Sequence, residues 1–175
     1  MSTLITTTAQ IGTIKDAGGN NTAITIDSSG RVSRPVLPAW RVQLASNAQN
    51  ISANSAVITW DNSSSAGCFI QGGCTLSSGV VTVPVAGVYQ INTSVRKQNI
   101  NGSYIEVYIR INTSSSHRGY HIIGNPDDTY HSISASQVFK LAANDTVDIL
   151  VNAQGENSWL VAGGSLSSFS GVMIG

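Results

Sequence analysis

The stretch that decides the fold is "VTVPVAGVYQINTSV", residues 81–95. Its valines first recur at every second position, a pattern that predicts a β-strand because strand side chains alternate between two faces. Pro84 and Gly87 interrupt this pattern, and both residue types disfavour a strand interior. The segment therefore predicts two strands, residues 79–83 and 88–95, joined by a corner. We expect Pro84 to end strand pairing because it lacks an N–H, and Gly87 to adopt a positive φ.

Short strand-like stretches separated by turn residues recur along the rest of the chain from Ala39 onward. In "SYIEVYIRIN" (103–112) Ile and Val alternate with Tyr, Glu and Arg. In the predicted strand 88–95, Tyr89 and Ile91 are expected to face the core. Charged residues make up 10% of the chain, against about 25% in an average domain, and Ser, Thr, Asn and Gly take their place. With no helical pattern, the sequence predicts an all-β fold, a β-sandwich or jelly roll.

Residues 1–35 differ from the remainder of the chain. They contain two short strand-like pieces, with turns near 17–21 and 27–30. The segment has too few apolar residues to form a core alone. This segment must therefore pack on its own copies or on a larger assembly. Pro35 and Pro38 stiffen the boundary, so we predict an arm at 1–35 and a head domain at 36–175. The residues predicted to attach the arm are Leu4, Ile5, Ile11, Ile14, Ile24 and Ile26.

Charge and hydropathy limit the classes of partner. Nine basic and nine acidic residues give a formal net charge of +0, with no basic stripe for nucleic acid and no polybasic segment for a membrane surface. No apolar run is long enough to insert into a membrane, and the first residues lack the pattern of a signal peptide. We therefore expect synthesis in a cytoplasm, where Cys68 and Cys74 stay reduced, although a disulfide closing a short hairpin is the alternative.

Candidate catalytic residues are few. No serine lies in a Gly-x-Ser-x-Gly elbow. Asp127 and Asp128 would point to opposite faces of a strand, whereas on a loop both could reach a cation; a polar turn begun at Asn125 is the reading we favour. His117 and His121 would share a strand face, for which a solvent-facing rim is a simpler explanation than a metal site. We predict a non-enzymatic protein without a cofactor.

Two polar loops, "GNPDDTYH" and "NAQGENSW", combine aromatic rings with amides and carboxylates. Such groups suit sugar rings, which bind by stacking and hydrogen bonding, and loops commonly carry recognition on a rigid scaffold. A competing interpretation places the Trp of the second loop in the core. The predicted receptor-binding residues are Asp127, Asp128, Tyr130, His131, Gln154 and Trp159.

The corner segment "VPVAGVYQI" resembles the Pro-x-x-Gly-x-Tyr-x-Phe signature of the globular heads of complement component C-one-q and its tumour-necrosis-factor-like relatives. Pro84, Gly87 and Tyr89 match this signature, and Ile91 stands where the family usually has Phe. Three further motifs resemble the family's strands and occur in its order: "PAWRVQLA" (38–45), "FKLAANDTVDILV" (139–151) and "SSFSGVMIG" (167–175).

This resemblance implies a jelly-roll head that assembles as a homotrimer around a threefold axis. Tyr104 and Tyr108 are then predicted to lie at the contact between subunits, because aromatic residues on an outer sheet face favour an interface; isolated surface tyrosines are the alternative. Some members of the family bind calcium near the trimer apex, so the Asp127–Asp128 loop is the place where calcium would be expected.

The segment "TTTAQIGTIKDAGGNNTAITIDSSGRVSRP" resembles the lead-in to such heads in structural proteins of tailed phages and marine viruses. It implies a virion protein, a fibre or decoration appendage, in which the arm at 1–35 serves both virion attachment and trimerisation. Its partners would be tail, neck or capsid proteins, and its head would face host-surface glycan. A soluble lectin-like or signalling module outside a virion is the alternative function. A glycan-degrading appendage is the third, and it would need an acidic pair.

Overall fold

The structure is a computed structural model that describes residues 12–15, 18–19, 22–34, 37–44, 49–53, 55–61, 67–98, 104–124, 130–154 and 159–175; for 22–23, 115–124, 154 and 164–165 it describes the backbone alone. The chain divides into two compact units, Met1–Leu37 and Pro38–Gly175. Strands, turns and irregular segments account for all the described residues, so the all-β prediction is confirmed. None of these residues belongs to a helix that could cross a membrane.

The first unit holds a small antiparallel sheet of three strands in the order β1 (Thr13–Lys15), β2 (Thr22–Ile26) and β3 (Val32–Ser33). The turn between β2 and β3 is closed by Asp27, whose Oδ1 accepts hydrogen bonds from the backbone N–H groups of Ser29 and Arg31, each at 2.9 Å. An Asp side chain that bonds to the backbone a few residues ahead is a typical turn former, which is why the chain reverses here.

The second unit contains two antiparallel sheets. The seven-stranded sheet has the order β5-β15-β10-β16-β4-β7, and its seventh strand, β13, pairs with β10 outside this order. The six-stranded sheet has the order β12-β11-β14-β9-β8, and its sixth strand, β6, pairs with β14. The strands are β4 (Ala39–Leu44), β5 (Gln49–Ile51), β6 (Ser55–Val57), β7 (Phe69–Gln71), β8 (Thr75–Ser77), β9 (Val80–Thr82), β10 (Gly87–Gln98), β11 (Tyr104–Ile111), β12 (Ser114–Gly124), β13 (Tyr130–Leu141), β14 (Thr146–Gln154), β15 (Trp159–Val161) and β16 (Gly164–Met173).

The corner of the opening segment joins the two sheets, since β9 belongs to the six-stranded sheet and β10 to the seven-stranded one. The expectation for Gly87 was wrong, because it does not have a positive φ. A Cβ at this position would instead lie 2.6 Å from Cε of Met173 and 2.8 Å from the carbonyl oxygen of Gly175. Glycine is therefore required by the close approach of the final strand.

Apolar side chains from both sheets form one core between them. The predicted alternation of β11 is confirmed, because Ile105, Val107 and Ile109 are fully buried. Tyr89 and Ile91 are also fully buried, as expected from the corner segment. This arrangement is sandwich-like, and it leaves one face of each sheet directed away from the core. Cys68 and Cys74 are free thiols rather than a disulfide.

Candidate functional site

Of the residues predicted in the first binding loop, Asp127 and Asp128 lie outside the described residues. Tyr130 begins β13 and is 52% exposed. The guanidinium carbon of Arg96 lies 4.4 Å from the centroid of the Tyr130 ring, a cation–π contact. His131 follows on the same strand and is half-buried. The tyrosine therefore offers an exposed ring beside a cation.

The second predicted loop contributes less surface. Gln154 ends β14, and its side chain lies outside the described part of the structure. Trp159 begins β15 and is 2% exposed, with its indole N–H donating a 3.0 Å hydrogen bond to the carbonyl oxygen of Ala53. Trp159 thus occupies the core position of the competing interpretation, and its ring has no free face for stacking on a sugar.

The residues predicted to attach the arm divide into two groups. Leu4, Ile5 and Ile11 lie outside the described residues. Ile14 is 44% exposed on β1, and Ile24 and Ile26 are half-buried on β2.

Tyr104 and Tyr108, predicted at the subunit contact, lie on the outward face of the six-stranded sheet. Tyr104 is half-buried, but Tyr108 is only 8% exposed within its own chain. On this face Arg110 donates two hydrogen bonds to the carboxylate of Asp148, at 2.7 and 2.9 Å. Arg110 and Asp148 are therefore already paired on this face, and Tyr108 is nearly covered within its own chain.

The seven-stranded sheet carries a surface that sequence reasoning missed. Along β10, β13 and β16 its outward positions are small and polar, and we call this surface the serine face. Two cross-strand hydrogen bonds stabilise it, from Ser134 Oγ to Ser94 Oγ at 3.2 Å and from Ser136 Oγ to Asn92 Oδ1 at 2.7 Å. A shallow cavity of about 340 Å³ lies along this surface. The serine face consists of Asn92, Ser94, Ser134, Ser136, Ser168 and Ser170.

Exposed apolar side chains border the serine face on the same sheet. Val138 on β13 is 55% exposed and Phe69 on β7 is 43% exposed. Phe69 and Arg41 line a second cavity of about 370 Å³ that meets the first at Asn92. Large apolar side chains exposed on a sheet face are candidates for contact with another protein.

The charges on this sheet are mostly of one sign. The outward positions of its strands include Arg41, Arg96 and Lys140, with Asp61 at one edge, where its backbone pairs with Gln43. The sheet face is therefore cationic in a chain whose formal net charge is +0. A partner surface that carries carboxylates or a polar rim would suit it better than an identical face.

The chemistry available on this sheet is hydrogen bonding, apolar contact and charge attraction. In the described part of the chain, no three His, Cys, Asp or Glu side chains are grouped so that they could hold a metal ion. The alternation of Ser132, Ser134 and Ser136 in "SISAS" was the one sequence signal that could have indicated the serine face. This alternation shows that the three serines share one face of a strand, but it does not show which strands lie beside that strand.

Comparison of the chain with protein-family models gives no match, and comparison with curated proteins gives none either. The likeness to C-one-q-type heads therefore depends on the four quoted motifs, and the structure supports it at the level of an all-β, sandwich-like fold.

Proposed function

We propose that this protein is a non-enzymatic structural protein of a bacteriophage particle, a homotrimeric fibre or decoration appendage. In this proposal the arm unit attaches to other virion proteins and the head faces outward, where it contacts host-surface glycan. The observation that supports it best is the outward face of the seven-stranded sheet, which leaves Val138 and Phe69 exposed around a small polar centre. A single chain with such a face is suited to association with a further subunit.

The same face favours a ring over a two-fold dimer. In a two-fold dimer the same patch meets itself, so Arg41, Arg96 and Lys140 of one copy would approach those of the other. In a ring the face meets a different surface of the next copy, which avoids this like-charge contact. The trimer implied by the family resemblance is a ring of this kind. We therefore place the subunit contact on the seven-stranded sheet, because Tyr108 is already covered in its own chain.

The mass of the full-length protein in solution tests the assembly. We expect light scattering to give the mass of three chains. Val138→Asp should release single chains, because it places a charge at an apolar contact. Val85→Asp is the matched control, since Val85 is 43% exposed but lies on the corner outside the sheet. A single-chain mass for the unaltered protein, or equal effects of both substitutions, would contradict the proposed trimer.

The location in a virion needs a separate experiment. Particles should be purified from infected cells and labelled with an antibody against the head, and we expect label at a threefold knob on the particle. Protein found only free in the lysate would favour the alternative, a soluble lectin-like or signalling module. Turnover of surface polysaccharide that is lost in Asp127→Asn/Asp128→Asn would instead indicate the glycan-degrading function.

A further inference from the structure

The small sheet of the first unit has four apolar side chains on one face. Ile14 on β1 is paired with Ile24 on β2, and Ile26 on β2 is paired with Val32 on β3. Directly opposed residues of neighbouring strands share a face, and so do residues two apart on one strand. Since Ile24 and Ile26 are two apart, all four side chains lie on the same side of the sheet. We call this surface the arm apolar face.

The opposite side of the sheet is polar. Thr13, Thr25 and Ser33 are paired in a row across the three strands. Each is adjacent in sequence to a residue of the arm apolar face, so all three point the other way. The sheet is therefore amphipathic, and water is the suitable neighbour for this hydroxyl row.

The arm apolar face is only partly covered within the described part of the chain. Ile14 is 44% exposed and Val32 is 62% exposed, while Ile24 and Ile26 are half-buried. A small sheet needs its apolar face packed against another element to be stable. A face of only four side chains is also far smaller than the roughly 800 Å² that each partner buries in a stable, independent protein complex.

We propose that the arm apolar face is covered by the same face of other copies of this chain, so that Ile14, Ile24 and Ile26 serve the association of copies and not the attachment to other virion proteins predicted above. The four apolar side chains carry no charge, and Asp27 and Arg31 form an ion pair with each other at 2.6 Å in the β2–β3 turn. Lys15, paired with Thr22 beyond the bulge of β1, lies at the border of the face. The apolar parts of identical faces can therefore meet without like charges between them, which is not true of the cationic sheet of the head.

Tethering explains why so small a face suffices for copies of the chain. This step rests on the proposed function, in which the heads associate. Once the heads are assembled, their arms are held together at an effective concentration on the order of millimolar, so weak apolar contacts become sufficient. An independent protein would have to bind the same small face without that advantage.

Site-directed crosslinking tests this inference. The full-length protein, with Cys68→Ser and Cys74→Ala as background, would receive Val32→Cys and then be treated with a short bismaleimide. Ser33→Cys is the matched control, because Ser33 is the next residue on β3, is exposed as well, and belongs to the polar face. We expect covalently joined chains from Val32→Cys at least tenfold more abundant than from Ser33→Cys.

The mass of each sample, measured before crosslinking, separates the two proposals. An oligomeric mass with no joined chains from Val32→Cys, or with equal yields from both positions, would overturn the inference and leave the association of the heads intact. A single-chain mass would overturn the assembly as well as this inference. Crosslinking of Val32→Cys in purified particles only to a different virion protein would also refute it.

Discussion

The hydroxyl of Tyr89 donates a 2.9 Å hydrogen bond to the carbonyl oxygen of Val85. This bond joins the start of β10 to the corner through which the chain passes from one sheet to the other. Tyr89 is fully buried, and shortening it to Phe would remove the hydroxyl that makes this bond. The corner carbonyl would then lose its partner.

Tyr89→Phe is therefore expected to lower the free energy of unfolding by about 1 kcal/mol, the usual net contribution of such a hydrogen bond. Chemical denaturation monitored by Trp fluorescence would measure the change. Tyr130→Phe is the control, because that ring is exposed beneath Arg96 and no hydrogen bond from its hydroxyl is present among the described residues. Equal losses for the two substitutions would contradict a specific role for the corner.

Gly171→Ala is expected to destabilise the head more strongly. A Cβ at Gly171 would lie 2.3 Å from two ring carbons of Trp40, which is 1% exposed and cannot move aside easily. Overpacking of this kind costs roughly 1–3 kcal/mol, occasionally more. Gly12→Ala is the control, since a Cβ there meets no atom within 4 Å. A change below about 0.5 kcal/mol for Gly171→Ala, within the usual range for surface substitutions, would show that the Trp40 ring shifts freely.

The pair of Arg110 and Asp148 gives a third prediction. Their side chains are 16% and 1% exposed, so Arg110→Leu would leave a buried carboxylate without its guanidinium. Breaking one partner of a buried pair costs about 3–5 kcal/mol, whereas replacing both with apolar residues is often close to neutral. We therefore expect the double variant Arg110→Leu/Asp148→Leu to recover most of the stability lost by Arg110→Leu. Denaturation of the two variants side by side would show no recovery if this account is wrong.

Stability should also fall in alkali because of Cys74. Burial raises the pKa of this thiol from 9.0 to about 11. The unfolded chain then loses the thiol proton at lower pH than the folded chain, so the contribution of Cys74 is complete below pH 9 and is lost as pH rises towards 11. Cys74→Ala should show a shallower fall of the unfolding free energy across this window. Parallel curves for the two proteins would contradict the prediction.

Local patterns in the sequence were sufficient for some features and not for others. Alternation placed Ile105 and Val107 in the core, because facing is determined within one strand. The reason for Gly87 could not be found in the same way, since it depends on the backbone oxygen of Gly175, which is 88 positions later in the chain. Close approaches between distant strands leave no periodic signal in the sequence.

The candidate site shows the same division. The serine face combines residues of β10, β13 and β16, whose neighbour relations depend on long-range pairing. Only the alternate serines of β13 form a pattern within one segment. Trp159 was proposed for sugar binding because it follows a polar loop, yet its indole lies in the core, and neither its residue type nor its position distinguishes the two.

The position of β16 has a consequence for biosynthesis. This strand lies between β4 and β10 and pairs with both, so the seven-stranded sheet stays divided until residues 164–173 have been translated. Pairings between strands so distant along a chain form slowly, because a long loop must close before any contact is gained. The sheet should therefore close only after β16 has been synthesised, and a nascent chain stalled before Gly164 should hold the strands of this sheet in two separate groups.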